Sequence, residues 1–109
     1  MKFMMFVATD AEPDAKKEKP GDIERWLAET GEQRITGDRL RPTSNAKTVR
    51  VRDGKTLVID GPFTESKEVI IGFDILECES IEDAIAIAAK HPMARVGRLE
   101  LRAFWPFEG

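Results

Sequence analysis

The sequence predicts an α+β protein: one largely antiparallel sheet with two helices packed on a single face. Three observations carry that expectation. Asp53-Gly54 separates two runs of strand residues, and a two-residue Asp-Gly connection is a strong hairpin signal because both turn positions need positive φ. Residues 2–8 and 69–78 are apolar on both faces, as strands covered on two sides are. Two segments of helical spacing begin at residues suited to capping, Asp22 and Ser80. Two helices cover only one face of a sheet, so the two-faced strands need a second cover. A second copy of the same sheet, related by a two-fold axis, is the simplest one.

In chain order, Lys2 to Ala8 is the first strand, and residues 10–21 form a loop holding Pro13, Pro20 and a charged run at 16–19. Asp22 caps the first helix, Ile23, Trp26, Leu27 and Thr30 share its buried face, and Gly31 supplies a left-handed stop. Ile35 to Leu40, interrupted by Gly37, predicts only a short extended piece before the turn at Pro42–Asn45. The hairpin arms are 47–52 and 55–60, with Val49 and Val51 facing opposite to Thr48, Arg50 and Arg52. Gly61-Pro62 then stops the strand, and Val69 opens the next. In that strand Val69, Ile71, Phe73 and Ile75 form one row, and Ile70, Gly72, Asp74, Leu76 and Cys78 the other. Ser80 caps the second helix, whose stripe is Ile81, Ala84, Ile85, Ala88 and Ala89, and Pro92 forbids its continuation. The final strand runs from Val96 to Phe104.

A chain of 109 residues is expected to be one domain, 1–109, burying roughly two-thirds of its unfolded surface. Its 17 Lys and Arg against 20 Asp and Glu, net −3, argue against a nucleic-acid partner, which needs clustered cations. Arg39, Arg41, Lys47, Arg50, Arg52 and Lys55 make a locally basic stretch that reads as a solvated hairpin face. No apolar run reaches membrane-spanning length, and the N-terminal one is too short for a secretion signal. A lone cysteine, Cys78, permits no internal disulfide and fits a reducing cytoplasm.

Zinc and other metals are unsupported by one His and one Cys, and no cofactor is expected: there is no phosphate-cradling glycine loop and no nucleophile elbow. His91, after the second helix, reads as a surface residue complementing the helix dipole rather than as a general base. Carboxylates remain. Asp60 ends a strand, where it can accept backbone N–H groups of the turn it enters. Glu65 and Glu68 flank Lys67 in what reads first as a charged loop. Asp74 lies mid-strand in an apolar row, where a charge needs a partner, a pocket or a raised pKa, and Gly72 leaves space beside it. An arginine partner for Asp74 is the competing reading. The candidate ligand-binding residues are therefore Asp60, Phe63, Lys67, Glu68 and Asp74, with Phe63 itself expected to tuck against the fold.

At these residues the chain resembles the YCII-related family, in its DGPF branch. The resemblance rests on Gly37-Asp-Arg-Leu-Arg-Pro42, on residues 46–51, and on Asp60-Gly-Pro-Phe63 followed by Thr-Glu-Ser-Lys-Glu68. It continues through Gly72-Phe73 and the second helix to Leu99-Glu-Leu-Arg102. It implies a ferredoxin-like βαββαβ core with an extra hairpin, dimerising into an α+β barrel with a cleft in each subunit. Some relatives resemble small-molecule enzymes that use a His–Asp pair, and some are linked with sigma-factor regulation. Here Asp22-Ile-Glu-Arg-Trp26 stands where the enzymatic relatives place their His, and Asp74 replaces their usual aromatic. The leading expectation is a cytoplasmic homodimer binding a small molecule or serving a regulatory partner. The alternatives are an enzyme acting on a cyclic or aromatic organic acid, with Asp74 or Glu68 as general base, and a transcription-linked partner-binding module.

Overall fold

The structure, a computed structural model, describes residues 1–14, 17–63 and 66–107. Strand β1 (Lys2–Thr9) is central, because its unbroken apolar run can be covered on both sides. It pairs antiparallel with β5 (Ile70–Glu77) on one side and with β6 (Gly97–Ala103) on the other. Strand β2 (Arg34–Arg39) adds to the far side of β5, giving the order β2-β5-β1-β6. With helix α1 (Asp22–Glu29) between β1 and β2, and α2 (Ile81–Ala89) between β5 and β6, this is the ferredoxin-like βαββαβ topology. The extra hairpin, β3 (Lys47–Arg52) and β4 (Lys55–Asp60), forms a separate two-stranded sheet.

Phe3, Met5 and Val7 of β1, and Leu76 and Cys78 at the end of β5, point under the helices. There they meet Trp26, Ala84, Ala88 and Met93 in the core. Trp26 locks α1 to α2 by donating its indole N–H to the Ile87 carbonyl at 2.9 Å. The opposite face of the sheet carries Met4 and Phe6 beside Ile75 and Phe73, all half-buried and all without a covering layer within the chain.

Several local expectations are corrected. The α1 N-cap is Gly21, at φ 87°, and Asp22 is the first helical residue, its carboxylate accepting the Lys19 N–H. The left-handed position thus lies before α1, and Gly31 does not adopt one. The short extended piece expected over Ile35–Leu40 is a six-residue edge strand, Arg34–Arg39, with a bulge between Arg34 and Thr36. In α2 the stripe is rotated: Ala84 and Ala88 are buried, Ile87 packs on the core, and Ile81 and Ile85 are exposed. Ser80 caps α2 as expected, accepting the Asp83 N–H. After Pro92 the chain makes one more helical turn, α3 (Met93–Val96), before β6.

The hairpin makes no substantial contact with any other element among the described residues. Its base is tied: the Gly61 N–H bonds the Ala46 carbonyl, the Thr48 hydroxyl donates to the Gly61 carbonyl, and Lys47 pairs with Asp60. Beyond that base it projects as an arm. The radius of gyration is 16.1 Å, where a compact chain of this length has about 13 Å. The extents are 48 × 42 × 20 Å.

Candidate functional site

A cleft of about 420 Å³ opens on the helix-bearing side of β2 and β5. Its floor is bare backbone where Gly37 and Gly72 fall on that face, and its walls include Val7, Leu40, Met93 and His91. The two glycines have distinct jobs. A Cβ on Gly72 would come 3.0 Å from the Asp38 carbonyl oxygen of the neighbouring strand. A Cβ on Gly37 would collide with the Asp74 carboxylate, and would lie 2.6 Å from the Phe73 carbonyl oxygen and 2.7 Å from Arg34 Nη2. Gly37 therefore makes room for a charged pair.

That pair is Arg34 and Asp74. Asp74, 6% exposed, sits opposite Gly37 in the β2–β5 register, and its Oδ1 accepts from Arg34 Nε at 2.6 Å. Burial pushes the Asp74 carboxyl above its ordinary range, and the Arg34 guanidinium offsets this only in part. Arg34 spends its Nε on Asp74, while its two terminal nitrogens have no hydrogen-bond partner among the described residues. They are donors positioned for an anionic or carbonyl oxygen.

His91 completes the wall. It is 5% exposed, packs edge-on against Trp26 with ring centroids 4.5 Å apart, and its Nδ1 accepts the Met93 N–H at 2.9 Å. That bond puts the proton of the neutral ring on Nε2. Burial, helped by the nearby Arg34 charge, lowers its pKa to about 4, so the ring is uncharged at neutral pH. The expectation of a surface His91 is corrected: the ring is buried against Trp26, and its Nδ1 is taken by the Met93 N–H as the chain turns into α3. Nothing in the sequence alone distinguishes this histidine from an exposed one at a helix C-terminus.

Of the five residues singled out from sequence, the cleft receives Asp74. Both readings of it hold at once, a wall of a cleft and a partner for an arginine. Asp60 is exposed at the base of the arm, paired with Lys47. Phe63, expected to tuck in, is 86% exposed and lies just past the tied base of the hairpin. Lys67 is exposed, and Glu68 pairs with Arg98 at 3.1 Å in a surface cluster that includes Asp10. None of these four lines the cleft. Glu65 and Lys16 lie outside the described residues. Arg34, Gly37 and His91 are the cleft residues that the sequence did not disclose.

Among the described residues no group of three or more His, Cys, Asp or Glu side chains could hold a metal ion, and no helix is long and apolar enough to cross a membrane.

A stretch of 50 residues is 46% identical to an uncharacterised protein of Rhizobium meliloti (strain 1021), covering 46% of this chain and 40% of that protein's length. A solved structure of 5-chloro-2-hydroxyhydroquinone dehydrochlorinase from Burkholderia phenoliruptrix AC1100, in complex with 2,5-dihydroxybenzoquinone, aligns over 96% of this chain and 94% of that one. Its TM-score is 0.45 and its identity 14%. The family description that matches is the YCII-related domain, over residues 1–108, so the chain belongs to the YCII-related family.

Proposed function

We propose that the cleft binds a small organic acid, and that the protein works as a homodimer closed through the uncovered face of the four-stranded sheet. The single observation that carries the ligand reading is the Arg34–Asp74 pair set over a glycine floor. A guanidinium whose two terminal nitrogens have no partner among the described residues, beside a buried carboxylate and a neutral imidazole, suits a ligand with one anionic group and one hydroxyl. The ligand's anion would bond the Arg34 terminal nitrogens, and its hydroxyl would face Asp74. A flat, cyclic or aromatic body would lie on the glycine backbone between Val7, Leu40 and Met93.

One observation favours a second reading, catalysis by proton transfer. Burial raises the pKa of Asp74, the direction in which a carboxylate becomes a better base, while its ion pair with Arg34 opposes that change; Glu68, the other candidate base, is paired with Arg98 outside the cleft. In that reading Asp74 accepts a proton from the ligand's acidic O–H or C–H, and Arg34 balances the resulting anion. We place the chain in the DGPF branch on Asp60-Gly61-Pro62-Phe63, and in the cytoplasm on its lone, buried Cys78 thiol.

The test is a thermal-shift screen of cyclic and aromatic organic acids against wild type, Arg34→Lys and Asp74→Asn. A ligand at about a hundred times its Kd should stabilise wild type by about 2.7 kcal/mol, a shift of several degrees. Both variants should respond less. Equal stabilisation of all three proteins would remove Arg34 and Asp74 from the site. If ligand binds but no proton exchange at the ligand is seen by NMR, the binding reading stands alone.

A further inference from the structure

We propose that the cleft takes a dianionic ligand, a flat hydroxy acid with a second carboxylate at its far end, and that Arg39 at the cleft mouth selects it. The inference rests on the organic-acid reading of the cleft. It adds a second anionic group, beyond the one that Arg34 receives, and the side chain that holds it.

Register puts both arginines of β2 on the cleft side of the sheet. Arg34 stands opposite Leu76, Gly37 opposite Asp74 and Arg39 opposite Gly72, and all three line the cleft. In a regular strand residues 34 and 37 would face opposite ways. The bulge between Arg34 and Thr36 adds one residue and brings Arg34 onto the face of Gly37 and Arg39.

The spacing then sets a ligand length. Arg34 reaches along the strand to Asp74, so its guanidinium lies at the level of the Gly37–Asp74 pair. Arg39 starts opposite Gly72, two residues along β5 from Asp74, or about 7 Å. Glycine backbone forms the floor between the two levels, with no side chain to stand in a flat body's way. Carboxylates on opposite corners of a six-membered ring are separated by a similar length.

Arg39 is also unspent. Its side chain is exposed and has no ion-pair partner among the described residues. Two carboxylates nearby weigh against an anion there. Asp38 stands opposite Phe73, on the uncovered face, and what it brings to the cleft floor is its backbone carbonyl. Glu18, in the loop before α1, is exposed at the cleft and forms no ion pair with Arg39. The two differ in how they are held. Arg39 springs from a paired strand and offers a planar fork that grips a carboxylate in two parallel hydrogen bonds, whereas Glu18 stands on a connection outside any element.

The test is isothermal titration calorimetry of the full chain with two probes differing by one group, salicylate and 2-hydroxyterephthalate, and with circular dichroism to confirm folding. Both should bind wild type, 2-hydroxyterephthalate about fivefold or more tightly. Arg39→Gln should abolish that advantage, and Glu18→Gln, by removing a like charge, should widen it. Equal affinities for wild type, or an advantage that persists in Arg39→Gln, overturn the second anionic group and leave the organic-acid reading standing. A preference for 4-(aminomethyl)salicylate, which carries a cation in place of the second carboxylate, gives the mouth to Glu18 and overturns the inference likewise. Binding of none of the three overturns the organic-acid reading and this inference with it.

Discussion

Gly37 is where the cleft is most sensitive to the addition of one carbon. Gly37→Ala forces the Asp74 carboxylate, the Phe73 carbonyl and the Arg34 guanidinium to give way together, and two of these are fixed by a sheet or an ion pair. We expect a loss of about 3 kcal/mol, read from the urea midpoint. His91 makes a second prediction. Its folded pKa, about 4, lies below the 6.5 of an exposed histidine, so between these values the unfolded chain binds a proton that the native one refuses. Its contribution is complete above pH 6.5 and lost as pH falls to 4, by about 3 kcal/mol in all. Asp74 works oppositely: its raised pKa favours the native state on acidification. Stability curves of wild type and His91→Asn across pH 4–7 should therefore diverge, the variant being the flatter of the two. Parallel curves would mean that His91 titrates normally. Asp74 was legible in the sequence because a charge in a strand of Ile, Phe and Leu is conspicuous. Arg34 and His91 were not, because arginine after a turn and histidine after a helix are usually solvated, and only tertiary closure buries them.

At the scale of elements, legibility followed how strongly each segment's pattern repeats. The arms on either side of Asp53-Gly54, with Asp53 at φ 52° and Gly54 at φ 76°, lie where alternation and turn chemistry agree. Strand β2 was under-read because Gly37, Asp38 and Arg39 carry no apolar alternation. It is a strand because β5 offers it an edge, and because Gly37 lets it approach Asp74. Helix α1 starts one residue earlier than a carboxylate cap would put it, at a glycine whose positive φ turns the loop into the first turn. Helix α2 starts where its Ser80 cap puts it, although its buried stripe is rotated from the expected one. Ser80→Ala should cost it about 1 kcal/mol, since the Asp83 N–H loses its acceptor at an exposed helix end. An unchanged melting temperature would show that water replaces the hydroxyl without loss.

For the whole molecule, the question is what covers the second face of the sheet. Phe73 stands opposite Phe6 there, and Met4 opposite Ile75, an apolar centre bordered by Arg98, Glu100 and Arg102 on β6. Phe73→Arg places a charge in that centre and should yield a folded monomer in sedimentation, with its circular dichroism preserved. A dimer that survives this change would have to form elsewhere. The two-faced apolar strands made the need for a cover readable from sequence. The projection of the arm was not readable, because alternation reports which residues share a face and not whether anything lies against it.

The base of the arm has a consequence for how such chains can vary. The Leu40 N–H bonds the Ile71 carbonyl at 2.9 Å, and Val69 and Ile70 already pair with Thr9 and Ala8, so an excursion that begins after Leu40 has closed by Val69. The cleft residues Arg34, Gly37, Asp74 and His91 all lie outside it. Doubling the length of such a loop costs only about 0.6 kcal/mol in closure entropy, so its size is nearly uncoupled from the stability of the sheet. Insertions and deletions within the β3–β4 arm can therefore change how far the molecule reaches while leaving the chemistry of its cleft untouched.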